Sequence, residues 1–277
     1  MKYDKTYWMK TIVLFLLLLG LSIMVLFPFY WMFISSFKDI GRIFSTPIDF
    51  IPKPFTLDGY RKLLTGTLYG RWYLNSIIIT VLYTIVAIFF SCLGGVAFGK
   101  YDFKYKQTLF IIVLSSMMIP LHGILIPLFL VLVKLKWIDS YLGVIIPFAA
   151  SPFGIFFIRQ YSSSIPDELL FAGRIDGCSE FTLFSKILIP LLKPAIGVLI
   201  IYFSMIVWNW FIWPLVVIRS TTKFPLNVGL STFITQYEIR YDEVMAGAVL
   251  CTLPLIVLFV FMQKQFVTGL TAGAVKQ

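Results

Sequence analysis

Pro166-Asp-Glu-Leu-Leu-Phe-Ala-Gly-Arg-Ile-Asp-Gly-Cys-Ser-Glu180, running on to Ile187-Leu-Ile-Pro190-Leu-Leu-Lys-Pro194, is the stretch from which the rest of the chain can be read. It separates two strongly apolar segments. It carries charges and turn residues, yet it also holds Leu169, Leu170, Phe171 and Ile175. Large apolar side chains in a water-facing connection imply a surface that another protein covers, or one that lies on lipid headgroups. Ser164 is placed to cap a helix whose first turn contains Pro166, Asp167 and Glu168; proline is tolerated there, and carboxylates suit the positive end of a helix. Gly177, after Ile175-Asp176, is a natural stop. A second helical stretch is predicted from about Ser179 toward Ile189, with Pro190 and Pro194 marking its exit into the next apolar segment.

Those flanking segments settle the class. The chain is 59% hydrophobic and 13% charged, whereas soluble domains carry about 25% charged residues. An all-α, polytopic membrane protein is the reading that fits. Segments near 11–36, 73–99, 107–133, 141–158, 195–218 and 244–263 each approach the ~20 residues needed to cross a bilayer. The fourth is short and contains Pro147 and Pro152, which predicts a kinked, tilted or extended span. The first follows Lys2, Lys5 and Lys10; it exceeds the apolar core of a signal peptide and reads as a retained span. A net charge of +10 could suggest nucleic acid. The basic residues lie near the ends of apolar segments, so membrane lipid is the expected partner and nucleic acid is not. The Lys100, Lys104 and Lys106 loop and the N-terminal lysines favour a cytosolic N-terminus, while the basic 37–72 loop opposes it. Six spans from a cytosolic start put both termini and the 159–194 connection in the cytosol. Asp58, before Gly59-Tyr-Arg-Lys-Leu-Leu, predicts a capped surface helix in the 37–72 loop.

Motifs of chemistry are scarce. Cys92, Cys178 and Cys251 have no metal-ligand spacing and read as small core residues. The single His122 cannot build a multi-histidine metal site and reads as a helix-packing residue. Gly94-Gly-Val-Ala-Phe-Gly99-Lys100 has the spacing of a phosphate-binding loop. It lacks the following Ser or Thr and the preceding strand, so it reads instead as glycines that let helices pack closely, with Lys100 at the cytosolic edge. No nucleophile, acid–base pair or metal cluster suggests an enzyme. A secondary transporter normally needs ionisable residues inside its spans, and the six segments as drawn contain neither Asp nor Glu.

Ala172, Asp176-Gly177, Ile187, Ile189-Pro190 and Pro194 resemble the "EAA" loop of ATP-binding-cassette importer permeases. Phe171 stands where that family has Glu, Gly173 where it has its second Ala, and Cys178 where Ala is common. The resemblance runs from about residue 20 to the C-terminus. It includes Asn75-Ser76, Met118-Ile-Pro120, Ile126-Pro127-Leu, Phe153-Gly-Ile-Phe-Phe-Ile-Arg-Gln160, Trp208-Asn-Trp-Phe-Ile-Trp-Pro214, Leu226-Asn-Val-Gly229-Leu and the tail from Gln263 to Lys276. These motifs are similar to the carbohydrate branch of the family, and most to its six-span, maltose-permease-G-like subunits.

The resemblance implies a type I importer permease of the bacterial cytoplasmic membrane, with residues 1–277 forming one transmembrane domain and 159–194 its cytosolic coupling loop. It implies a second homologous permease, two ATPase subunits and an extracytoplasmic solute-binding protein that delivers a sugar. ATP and Mg would be bound by the ATPases, and this chain would hold no cofactor. Glu168, Leu169, Phe171, Ala172, Asp176 and Gly177 are the expected contact with an ATPase, and Gly273 to Gln277 a weaker one. A sugar crossing an apolar tunnel needs hydrogen-bonding groups and aromatic faces, which makes Ser115, Ser116, Tyr202, Ser204, Trp208 and Asn209 the candidate pathway. Asn209 is expected to face protein or a cavity, and Trp213 to sit in the interfacial aromatic belt. The loops at 37–72 and 219–243 are the expected contacts of the binding protein. An ATPase-independent secondary transporter is the alternative.

Overall fold

The computed structural model describes residues 5–235 and 239–272. Their elements, in chain order, are α1 (Lys5–Ser35), α2 (Asp58–Gly66), α3 (Tyr69–Lys100), α4 (Lys106–Ser115), α5 (Leu121–Leu135), α6 (Tyr141–Ala149) and α7 (Pro152–Ser163). There follow α8 (Glu168–Ile175), α9 (Glu180–Thr182), α10 (Ile189–Leu191), α11 (Lys193–Trp208), α12 (Ile212–Val217), α13 (Leu226–Ser231) and α14 (Tyr241–Ala272). The fold is all-α; the described residues form no strand, only an isolated antiparallel bridge between Ile234 and Ile239.

Among the described residues, three helices are long and apolar enough to cross a membrane by themselves: Tyr7–Ser35, Tyr69–Lys100 and Tyr241–Phe261. Three bent pairs reach the same length together, giving up to six spans. The pair Lys106–Met118 and Leu121–Leu135 is bent by 104°. The continuous span drawn at 107–133 is therefore broken, at a 3-10 turn over Ser116–Met118 and an extended Ile119 before Pro120. Tyr141–Ala149 and Pro152–Ser163 meet at 42°, the kink expected from Pro147 and Pro152. Glu180–Leu191 and Lys193–Trp208 meet at 73°. The helix drawn to 218 stops at Trp208, and α12 resumes only at Ile212.

The contacts divide into two units. The first comprises 1–69 and 230–253. In it α1 is apolar and exposed along most of its length, a surface that is stable only in lipid or against another protein. Asp58 does not cap α2: it lies in the first turn, where its carboxylate faces the positive helix end, and its own N–H donates to Thr56 Oγ1 at 3.1 Å. The last span begins earlier than drawn, so Asp242 and Glu243 occupy its first turn. Both are buried and paired, Asp242 with Lys62 at 2.9 Å and Glu243 with Arg240. The hydrogen bond to Asp242 raises the Lys62 ammonium above its ordinary pKa.

The second unit comprises 70–229 and 254–277. Its core gathers Leu132, Val144, Ile158, Leu183, Leu188, Leu192, Phe203 and Trp213. The glycines that imitate a phosphate loop bring α3 against α7. A β-carbon on Gly95 would lie 2.5 Å from Ile158 Cβ, and one on Gly99 2.1 Å from Ser162 Oγ, so only glycine permits this crossing. Trp213 is not an interfacial anchor. It is buried, donates its indole N–H to the Val144 carbonyl at 3.2 Å, and meets Phe148 edge-on at 5.2 Å. Outside the spans, the Asp139 carboxylate accepts from the Arg219 and Ser220 N–H groups, the Ser220 hydroxyl and Lys223. Burial alone would raise its pKa; the hydrogen bonds from Ser220 and Lys223 outweigh it and hold the carboxyl well below the usual carboxylate range.

Candidate functional site

The connection between α7 and α11 is built as a short helix held against a longer one. Ser164 does not cap α8. Its hydroxyl donates to the Tyr161 carbonyl at 2.7 Å and so closes α7, and the N-cap of α8 is Asp167. The other end of α8 forms as expected. Asp176 is the C-cap, and Gly177 takes φ +79°. The Gly177 N–H donates to the Arg174 carbonyl at 3.1 Å and the Cys178 N–H to the Gly173 carbonyl at 2.9 Å, the paired bonds of a Schellman stop. Ser179 then caps the second stretch, accepting from the Thr182 N–H at 3.3 Å. Leu183–Leu188 is π-helical, an irregularity unforeseen in the sequence, before α10 leads through the 73° bend into α11.

This construction sorts the side chains of α8. Leu170 and Gly173 face inward and are buried. A β-carbon on Gly173 would lie 2.5 Å from Leu183 Cδ2, so glycine at this position lets α8 sit tightly on the π-helical segment. Glu168, Leu169, Phe171, Ala172, Asp176 and Gly177 are all exposed, as is Ile175, at 86% of its full area. Phe181, on the next stretch, is exposed at 78%. The six residues singled out in the sequence therefore share one outward surface, and Ile175 and Phe181 enlarge its apolar part.

Charged groups missed as site residues lock that surface to the end of α3. Lys100 donates to Asp167 Oδ1 at 2.6 Å and to the Ile165 carbonyl, and its side chain is almost fully buried. The Tyr101 hydroxyl donates to Glu180 Oε2 at 2.6 Å. Arg174 Nε donates to Glu180 Oε1 at 2.8 Å and Nη2 to Oε2 at 3.3 Å. The Arg174 and Tyr101 hydrogen bonds keep the Glu180 carboxyl below its ordinary pKa. Burial, and next the Glu180 carboxylate, push the Tyr101 phenol up to about 12. A Lys just past a glycine-rich span and a Glu after an Asp-Gly turn were the available signals, but pairing them required the fold.

The six pathway residues are not brought together. Ser115 and Ser116 are exposed, and their hydroxyls donate to the Ile111 and Val113 carbonyls of their own helix. Ser116 lines one cavity; Ser204 and Trp208 line another, with Pro254, Leu255 and Leu258. The Tyr202 ring lies tilted against Phe153, 4.3 Å between centroids. Trp208 is buried, edge-on to Tyr73 at 5.7 Å. Asn209 is exposed at the C-cap of α11, where its amide donates to the Met205 carbonyl at 2.7 Å. His122 is likewise exposed rather than packed. Gly273 to Gln277 lie outside the described residues. No group of three or more potential metal ligands occurs among the described residues.

Comparison with known proteins agrees with this architecture. Residues 91–271 match the family described as binding-protein-dependent transport system inner membrane component. The chain is 40% identical over 279 residues to the arabinooligosaccharides transport system permease protein AraQ of Bacillus subtilis, covering 100% of this chain and 99% of that protein. It is 29% identical to the lactose transport system permease protein LacG of Rhizobium radiobacter, over 91% of each chain. In three dimensions it is similar to a chain of a bacterial transporter that imports the acidic polysaccharide alginate. That match has a TM-score of 0.86 at 25% identity and covers 95% of this chain and 98% of the other.

Proposed function

The chain belongs to the family of binding-protein-dependent transport inner-membrane components, and from that premise we propose that it is the membrane-spanning permease subunit of an ATP-driven sugar or oligosaccharide importer. It is a transport subunit rather than an enzyme. The observation that carries the reading is the outward apolar face of α8, held stiffly by Lys100, Tyr101 and Glu180 at the end of a membrane-crossing helix. A helix wedged into a partner's cleft transmits rigid-body motion, whereas a slack loop absorbs it.

In this reading α8 docks on one of two ATPase subunits, with Leu169, Phe171 and Ala172 as the contact and Asp176-Gly177 fixing its end. Both termini and the 159–194 connection face the cytosol, and a second, homologous permease completes the membrane pathway. ATP and Mg belong to the ATPases. An extracytoplasmic binding protein presents the sugar to the loops at 37–72 and 219–243. ATP binding closes the ATPase pair, moves α8 and turns the pathway outward; hydrolysis and product release return it inward. The full-length similarity to AraQ and the similarity to LacG support a sugar as cargo.

The test is reconstitution of the chain with its second permease, ATPases and binding protein in sealed vesicles. Uptake of a labelled oligosaccharide is expected only with ATP and the loaded binding protein. Uptake driven by an ion gradient without ATPases would establish the secondary-transporter alternative instead.

A further inference from the structure

Three interruptions of the membrane helices meet at one cavity of about 540 Å³. The break between α4 and α5 contributes Ser116, Met117 and Ile119; the kink between α6 and α7 contributes Phe148 and Ser151; the segment after α11 contributes Trp210. Backbone that leaves the helix within a bilayer is tolerated where protein covers it or where it lines a polar cavity. Discontinuous helices converging on one space are the geometry of a solute site. The volume falls within the range of about 300–1,000 Å³ for small-molecule sites.

The lining has the chemistry of a sugar face. Trp210 is half-buried and fixed by edge contacts, 4.9 Å from Tyr83 and 5.8 Å from Phe148 between ring centroids. Among the described residues no acceptor takes its indole N–H. The Tyr83 hydroxyl is already committed, donating to the Phe148 carbonyl at 2.9 Å. The Ser151 oxygen accepts from the Gly154 N–H at 3.3 Å and keeps its proton to donate. The Ser116 hydroxyl donates to the Val113 carbonyl at 2.6 Å and keeps lone pairs to accept. An aromatic face is electron-rich, and the C–H face of a sugar ring is apolar and electron-poor. Among the described residues no Lys, Arg, Asp or Glu lines the cavity, so a carboxylate entering it would lose water without a compensating charge.

We propose that this cavity is a subsite of the translocation pathway that holds one uncharged sugar ring, with Trp210 as its stacking face and Ser116 and Ser151 as hydroxyl partners. The proposal rests on the importer reading above. It places cargo discrimination partly in this chain and selects neutral over uronic oligosaccharides.

The experiment uses the complete reconstituted complex with saturating binding protein and, as probes, labelled arabinotriose, maltotriose and trigalacturonate. The wild-type complex is expected to import at least one neutral trisaccharide and to import trigalacturonate at least 10-fold more slowly. Trp210→Ala is expected to slow the neutral probe at least 10-fold in a complex that still purifies with all its subunits, and Trp210→Phe to restore at least half of the uptake. Ile119→Trp, which fills the cavity from an exposed position, is expected to block uptake in an assembled complex and keeps the test open if Trp210→Ala fails to assemble. Unchanged uptake in Trp210→Ala or Ile119→Trp, or faster import of trigalacturonate, would overturn the subsite and leave the importer intact. A wild-type complex without ATP-dependent uptake of any probe would overturn both.

Discussion

Gly177 stands at φ +79°, a backbone region that costs an L-residue about 1–2 kcal/mol. Gly177→Ala is expected to loosen the stop of α8, visible as faster tryptic cleavage at Arg174 in the assembled complex and transport uncoupled from ATP hydrolysis. Gly95 answers to a different constraint. Its position against Ile158 leaves no room for a β-carbon, so Gly95→Leu should cost at least the ~1–3 kcal/mol typical of overpacking, read as a lower Tm and poor assembly. Asp139 is a third residue with a single job. Its pKa is depressed in the fold, so its contribution is fully present above its unfolded value, about 3.9, and is lost as pH falls through the lower folded value. Asp139→Asn should remove about 1.5–3 kcal/mol, the worth of hydrogen bonds to a charged group, at neutral pH. Thermal melts of wild type and variant should converge as pH drops below ~4.

At the scale of elements, α8 and the stretch after Ser179 act as one body because Arg174, Tyr101 and Glu180 join them to the end of α3. Glu180→Gln should leave assembly intact but lower sugar transported per ATP hydrolysed, since α8 would then move without its helix. The depressed Glu180 pKa gives the same sign of pH dependence: the clamp holds above the ordinary carboxylate value and opens as pH falls through the lower folded one. Much of this element was legible in the sequence. Apolar residues among charges marked the outward face, and Asp176-Gly177 marked the stop. The breaks in the membrane helices were harder to read, because one apolar run spans Ser116–Pro120 and hydrophobicity alone cannot show where a helix bends. Trp213 was expected at the membrane interface and is buried instead, because its indole finds a carbonyl 69 residues away. The π-helical turn at 183–188 had no local signal beyond Pro190.

For the whole molecule, the proposed importer has its engine in other subunits and delivers motion to this chain at α8. Lys100 supports that view from the side: it is bonded to Asp167 and the Ile165 carbonyl, so Lys100→Met should weaken coupling without altering nucleotide affinity of the complex. The measurement that tests the claim most directly is a cysteine scan over Leu169, Phe171, Ala172 and Ile175. Each is paired with a cysteine in the ATPase cleft and oxidised in native membranes with and without ATP. Docking of α8 in that cleft gives specific cross-links from this face whose yield changes with nucleotide, and none from the inward Leu170. If the outward positions never reach an ATPase and react only with lipid-phase reagents, α8 is a headgroup-bound helix and the coupling assignment is contradicted.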